Sequence, residues 1–236
     1  MKVIILAGGL GTRLSEETLI KPKPLVEIGE RPILWHIINI YRTFGFNDFV
    51  ICTGYKFELI EEFCSRFEFE NRDLHLQALY TGEQTSTGGR IKKVWETIGN
   101  ETILATYGDG VADIRVDKLI EFHKKHGKIA TVTAVRPPAR FGRLHIVGEL
   151  VSEFGEKNQS EEGWINGGFF VLGPEVRNYL LDYATPFEHY PLVTLTANKQ
   201  LMAYKHEGFW QPMDTLREKM DLEEMWNAGK APWKIW

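Results

Sequence analysis

The sequence predicts an α/β fold: a mainly parallel mixed sheet flanked by helices, with smaller antiparallel additions. Three observations predict it. β-branched, nearly all-apolar runs alternate with amphipathic helical segments as far as Val135, which is the pattern of a sheet covered on both faces. A glycine-rich loop, residues 7–13, leaves the end of the first such run. After Pro137-Pro138 the runs shorten, as short antiparallel strands do. No Ser/Gly-rich stretch and no single-sign charge run divides the 236 residues, so one domain spanning 1–236 is expected.

The elements follow in order. Met1 to Leu6 reads as a strand buried on both faces. Residues 33–44 carry a helical apolar stripe through Ile33, Leu34, Ile37, Ile38, Tyr41 and Phe44, ending at Gly45. Strand 48–53, helix 57–67, strand 74–79, helix 89–98 and the buried strand 102–107 come next. An amphipathic helix at 115–126, closed by Gly127, leads to a β-branched strand at 129–135. Short strands are expected at 143–147, 150–154 and 164–172, then helices at 174–182 and 187–198 and a strand at 201–205. The last helix starts near Thr215, where Thr215-Leu216-Arg217-Glu218 fits a capping box, and ends at Gly229.

Composition excludes several classes. A net charge of −4 argues against a duplex nucleic-acid binder, whose affinity is built from excess Lys and Arg. No leader-like segment and no bilayer-length apolar run is present, so no membrane partner and a soluble, cytoplasmic protein are expected. Cys52 and Cys64 lie in apolar segments and read as buried free thiols. The seven histidines show no ligand spacing, so zinc is not expected. Trp35, Trp95 and Trp226 fall on helices at core spacing, while Trp233 and Trp236 sit in a short tail that reads as a packing or subunit-contact segment, hence an expected homo-oligomer.

The chemistry concentrates in three places. In Leu6-Ala7-Gly8-Gly9-Leu10-Gly11-Thr12-Arg13, the glycines let backbone N–H groups approach an anion, and Thr12 and Arg13 complete a concave donor set for a triphosphate. The loop lacks both the third glycine of a dinucleotide fingerprint and the Gly-Lys-Ser/Thr ending of a Walker loop. In Lys21-Pro22-Lys23-Pro24 the prolines hold the chain extended, which points Lys21 and Lys23 to one side. Asp109, in Tyr107-Gly108-Asp109-Gly110, follows a buried run and precedes a helix, so it fits a Mg²⁺ ligand better than a hairpin turn. Asp214 reads equally as a second ligand or as electrostatic support for the helix that follows it. Arg90 reads equally as an anion-neutralising group or a solvated helix residue.

Taken together, the loop and the Lys-Pro element resemble the signature of the sugar-1-phosphate nucleotidylyltransferases. The resemblance runs over nearly the whole chain and implies a Rossmann-like nucleotidyltransferase fold. It is strongest to the members that move a cytidylyl group from CTP onto glucose 1-phosphate, through residues 8–18, 107–113, 165–172 and 209–217. Between Phe67 and Thr81 this chain is shorter than those members.

The resemblance implies Mg²⁺ on Asp109 and Asp214, Lys23 on the α-phosphate and Arg13 on the β- and γ-phosphates, these four being the catalytic residues. It places the nucleotide on Leu6, Ala7, Gly8, Gly9, Gly11, Thr12, Arg13, Lys23, Gly88 and Asp109. The sugar phosphate falls to Tyr107, Glu156, Lys157, Asn166 and Gly167. Lys21 is left without a role. Another nucleoside triphosphate or phosphorylated substrate is the alternative, and a silent binding subunit a weaker one, since a binding module has no need of both metal carboxylates.

Overall fold

The computed structural model describes residues 1–9, 11, 14–137, 143–147, 149–155 and 163–236. Its elements in chain order are β1 (Val3–Leu6), α1 (Ser15–Thr18), β2 (Glu27–Ile28), β3 (Arg31–Pro32), α2 (Ile33–Arg42), β4 (Asp48–Thr53), α3 (Phe57–Glu70) and β5 (His75–Tyr80). Next come α4 (Thr87–Ile98), β6 (Ile103–Tyr107), β7 (Gly110–Ala112), α5 (Val116–His126), β8 (Ala130–Val135), β9 (Arg143–Val147) and β10 (Leu150–Gly155). The chain continues through β11 (Ile165–Asn166), β12 (Phe170–Leu172), α6 (Tyr190–Ala197), β13 (Leu201–His206), β14 (Trp210–Pro212) and α7 (Leu216–Asn227).

The main sheet has eight strands. β5, β4, β1 and β6 are parallel neighbours, and β13 runs parallel to β8 at the other side. β12 lies between β6 and β8, antiparallel to both, and the two-residue β11 pairs antiparallel with β8. All four β1 residues are buried, because alternate side chains enter two different cores. Val3 and Ile5 pack with α2, while Ile4 and Leu6 pack with Ile91 and Val94 of α4. The carboxyl ends of β1, β4, β5, β6, β8 and β13 therefore share one rim, where open parallel sheets place their ligands.

Four local readings are corrected. The strand expected over 164–172 is broken, because Gly168 and Phe169 take positive φ of 75° and 46°, which turns the chain out of the pleat between β11 and β12. Residues 174–179 form a 3-10 turn rather than the start of a longer helix. The helix expected from Phe187 starts at Tyr190, with Pro191 in its first turn. A short strand, β7, stands between Asp109 and α5, and it pairs antiparallel with β14 rather than with β6. Among the described residues no helix is long and apolar enough to cross a membrane.

Both cysteines are buried and free, and burial pushes their thiols up to about 12. The carboxyl-terminal tail packs within the chain. Trp233 is wholly buried, stacks on Phe209 and Trp226, and donates its indole N–H to His36 Nδ1 at 3.2 Å. His36 Nε2 therefore keeps the proton and donates to the Ile28 carbonyl at 2.9 Å. Burial pushes this histidine from 6.5 down to about 4. Its neutral form is the one that folding favours, so its contribution is complete above pH 6.5 and is lost as pH falls toward 4. That loss amounts to roughly 3 kcal/mol at most. Urea unfolding at pH 7, 5.5 and 4.5 should show wild-type stability falling more steeply than that of His36→Gln; parallel slopes would exonerate His36.

Candidate active site

A cleft of about 410 Å³ opens at the carboxyl rim of the sheet. Leu6, Ala7, Gly8, Gly9, Gly11, Lys23, Tyr107 and Asp109 line it on one side, and Glu83, Thr85, Ser86, Thr87 and Arg90 on the other. The loop after β1 and the turn after β6 thus meet in one crevice, as the sheet rule requires. Thr12, Arg13, Glu156 and Lys157 lie outside the described residues.

At the floor, Lys23 joins two distant parts of the chain. Its Nζ donates to Asp109 Oδ2 at 2.7 Å and to Asp214 Oδ1 at 2.5 Å. Burial works against this ammonium, but Asp109 and Asp214 outweigh it and hold its pKa above the ordinary lysine value. Lys21 does not join it. The extended reading of 21–24 fails because a 3-10 turn starts at Lys23, with Pro24 in its first turn, where the missing N–H goes unused. Lys21 instead pairs with Glu27 at 3.2 Å, on the surface.

The two aspartates are held by backbone, not by luck of side-chain packing. Met213 N–H donates to the Asp109 carbonyl at 2.7 Å, next to the β7/β14 ladder. The capping box is present: Thr215 Oγ1 accepts from Glu218 N–H, and Glu218 Oε2 accepts from the N–H groups of Thr215 at 2.9 Å and Asp214 at 2.8 Å. Glu218 therefore fixes the backbone that carries Asp214 as well as starting α7.

Two carboxylates converging on one cation suit a small hard divalent ion, which takes its remaining ligands from substrate phosphate and water. Among the described residues no group of three or more His, Cys, Asp or Glu side chains is arranged as a closed metal cage. The donor set fits Mg²⁺ and does not fit a structural metal.

Arg90 is neither solvated nor turned to the surface. It is 3% exposed and donates to the carbonyls of Thr53 at 2.7 Å and Gly8 at 2.9 Å, and to Thr81 Oγ1. Burial lowers its pKa. The guanidinium thus ties the loop after β1 to the ends of β4 and β5. Gly8 must be glycine here, since a Cβ would stand 2.0 Å from Arg90 Nη1.

Gly88 lies off the cleft lining. A Cβ there would meet the Thr185 carbonyl at 2.5 Å, so this glycine lets α4 pack against the segment 183–187.

Of the residues expected on the sugar side, Tyr107 lines the cleft while Asn166 and Gly167 lie off its lining: Asn166 Nδ2 donates to Tyr107 OH at 3.0 Å, and Gly167 offers its carbonyl to Trp210 Nε1 at 2.9 Å. Sequence reasoning missed Glu188, whose carboxylate receives the Tyr107 hydroxyl at 2.6 Å. Nothing in its local sequence marks it, because the partners lie far away along the chain.

The family model described as nucleotidyl transferase matches residues 2–215. The chain belongs to this family. A glucose-1-phosphate cytidylyltransferase of Salmonella typhi is 50% identical over 256 aligned residues, covering 100% of both chains. A probable glucose-1-phosphate cytidylyltransferase of Bacillus subtilis is 42% identical, again over 100% of both.

The Salmonella alignment is longer than the 236 residues here, so that relative carries residues that this nucleotidyltransferase lacks. In fold, a solved structure of a putative glucose-1-phosphate thymidylyltransferase from Bacillus anthracis is similar with a TM-score of 0.73. That likeness covers 98% of this chain and 95% of that one, at 20% identity.

Proposed function

We propose that this nucleotidyltransferase transfers a cytidylyl group from CTP to α-D-glucose 1-phosphate, releasing pyrophosphate and CDP-glucose, with residues 1–236 acting as one domain. The observation that carries the chemistry is Lys23, whose ammonium is held between Asp109 and Asp214 beside the cleft. The choice of substrates rests on the full-length likeness to the Salmonella and Bacillus cytidylyltransferases.

A sugar 1-phosphate is already an oxyanion, so it attacks the α-phosphorus without a general base. One bond forms to the sugar-phosphate oxygen, and the bond to the β-phosphate breaks. What the protein must supply is in-line positioning and positive charge. Lys23 neutralises the α-phosphate, and its carboxylate partners keep it protonated. The loop 7–11 offers backbone N–H groups to the phosphates, with Arg13 on the leaving pyrophosphate. Asp109 and Asp214 would hold Mg²⁺, which when bound neutralises the phosphate oxygens. Tyr107, Asn166 and Gly167, with Glu156 and Lys157, take the sugar phosphate.

Cytosine presents a 4-amino donor and a ring N3 acceptor, and a site built for them rejects uracil by leaving its own polar groups unpaired. Glu83, Thr85, Ser86 and Thr87 line the side of the cleft where that choice is made. Pyrophosphate release should be measured across CTP, UTP, dTTP and GTP with glucose and mannose 1-phosphates, with Mg²⁺ and after EDTA. CTP with glucose 1-phosphate should lead UTP and dTTP by about tenfold in kcat/KM, a margin of roughly 1.4 kcal/mol, and EDTA should abolish turnover. Equal use of UTP or dTTP would refute the cytidylyl assignment and leave nucleotidyl transfer standing.

A further inference from the structure

The wall that carries Tyr107 is organised around one carboxylate. Glu188 Oε1 receives the Tyr107 hydroxyl at 2.6 Å, and Glu188 Oε2 receives the Thr87 hydroxyl, also at 2.6 Å. Phe187 N–H donates to Thr87 Oγ1 at 2.9 Å, which leaves the Thr87 proton free to point at Glu188. Tyr107 OH in turn accepts from Asn166 Nδ2, and Gly168 N–H donates to Asn166 Oδ1 at 2.9 Å. Both arms of this network donate toward Glu188, which only accepts.

That direction fixes identities. Gly168 settles which end of the Asn166 amide is oxygen, and Tyr107 settles where one amide N–H goes. Among the described residues the second N–H of Asn166 meets no acceptor, which leaves it for an oxygen of the substrate. A carboxylate has no proton to give, so in the 2.6 Å contact the phenol is the donor and Glu188 the acceptor. Glu188 itself is seated by Phe187, which is wholly buried and packs edge-on against Phe170 of β12.

We propose that Glu188 is a positioning residue for the sugar phosphate: by collecting the hydroxyl protons of Thr87 and Tyr107, it orients Tyr107 and, through it, presents an amide N–H of Asn166 to a sugar hydroxyl oxygen. Glu188 does not line the cleft and acts through these side chains. The inference rests on the reading of Tyr107 and Asn166 as the sugar side of the site.

A glutamine at 188 keeps the shape but places an N–H₂ against one of the two hydroxyls, which reverses part of the chain. Glu188→Gln should raise KM for glucose 1-phosphate by about tenfold, with KM for CTP and kcat each within about threefold of wild type. Tyr107→Phe retains Glu188 and cuts the link, so it should give the same split. The double variant should be no worse than either single, because all act on one contact chain.

An unchanged KM for the sugar phosphate in Glu188→Gln would overturn the proposal, as would a parallel rise in KM for CTP. If Glu188→Gln fails to fold, the same split must appear in Tyr107→Phe, and its absence there is decisive. The wild-type substrate panel separates the two readings. If wild type uses a different sugar phosphate, the cytidylyl-to-glucose reading falls, and the Glu188 test is run with the sugar phosphate that is used.

Discussion

Replacing Lys23 by alanine should cut kcat by a factor on the order of 10² to 10³, the range for losing one charge-stabilising group in a transition state. Its Nζ binds both Asp109 and Asp214, and its side chain is 11% exposed. Removal therefore does more than subtract a charge from the α-phosphate. It takes from Asp109 and Asp214 the ammonium that they share, so Lys23→Ala should melt several degrees below wild type in EDTA. Millimolar Mg²⁺ should return most of that loss, since a divalent ion answers the same pair. Thermal melts with and without Mg²⁺, run beside steady-state kinetics, give both readings. A folded Lys23→Ala with normal kcat would remove Lys23 from the chemistry, and a melting difference indifferent to Mg²⁺ would remove the pair from metal binding.

The second large effect is structural in origin and functional in outcome. Arg90→Met keeps the length of the side chain and deletes its guanidinium. The Gly8 carbonyl then loses its buried donor, at a cost of about 1 to 3 kcal/mol in stability. Because that carbonyl belongs to the loop after β1, proposed above to receive the phosphates, the variant should also raise KM for the nucleotide severalfold. Arg90→Lys should recover only part of either loss, since one ammonium cannot reach three acceptors fixed by a planar fork. Urea midpoints and nucleotide KM for the two variants test this. Wild-type stability in Arg90→Met would show that Gly8, Thr53 and Thr81 are satisfied without it.

What could be read from sequence was what depends on neighbours in the chain. The burial of Val3 to Leu6 follows from composition alone, and the Thr215–Glu218 box is announced by two residues three apart. The loop after β1 was legible for the same reason. Features built from distant partners were not. Nothing in Ile165-Asn166-Gly167-Gly168-Phe169 announces that a non-glycine will take a positive φ and break the strand. Lys21 and Lys23 look alike in sequence, and only the 3-10 turn at Lys23 sends one to the cleft and the other to Glu27. Arg90 reads as open between two roles because its acceptors, Gly8, Thr53 and Thr81, come from three separate parts of the chain.

The tie between Met213 and Asp109, set beside the β7/β14 ladder, has a consequence for synthesis. A nascent chain can pair β1 with β4 and β6 while residue 214 is still unmade. At that stage it owns the phosphate loop and one carboxylate, and β7 has no partner strand. The second carboxylate arrives with the strand that seats the first. A ribosome-bound fragment ending before β14 is thus expected to be folded in its parallel half and inert toward nucleotides, so competence is switched on late in translation.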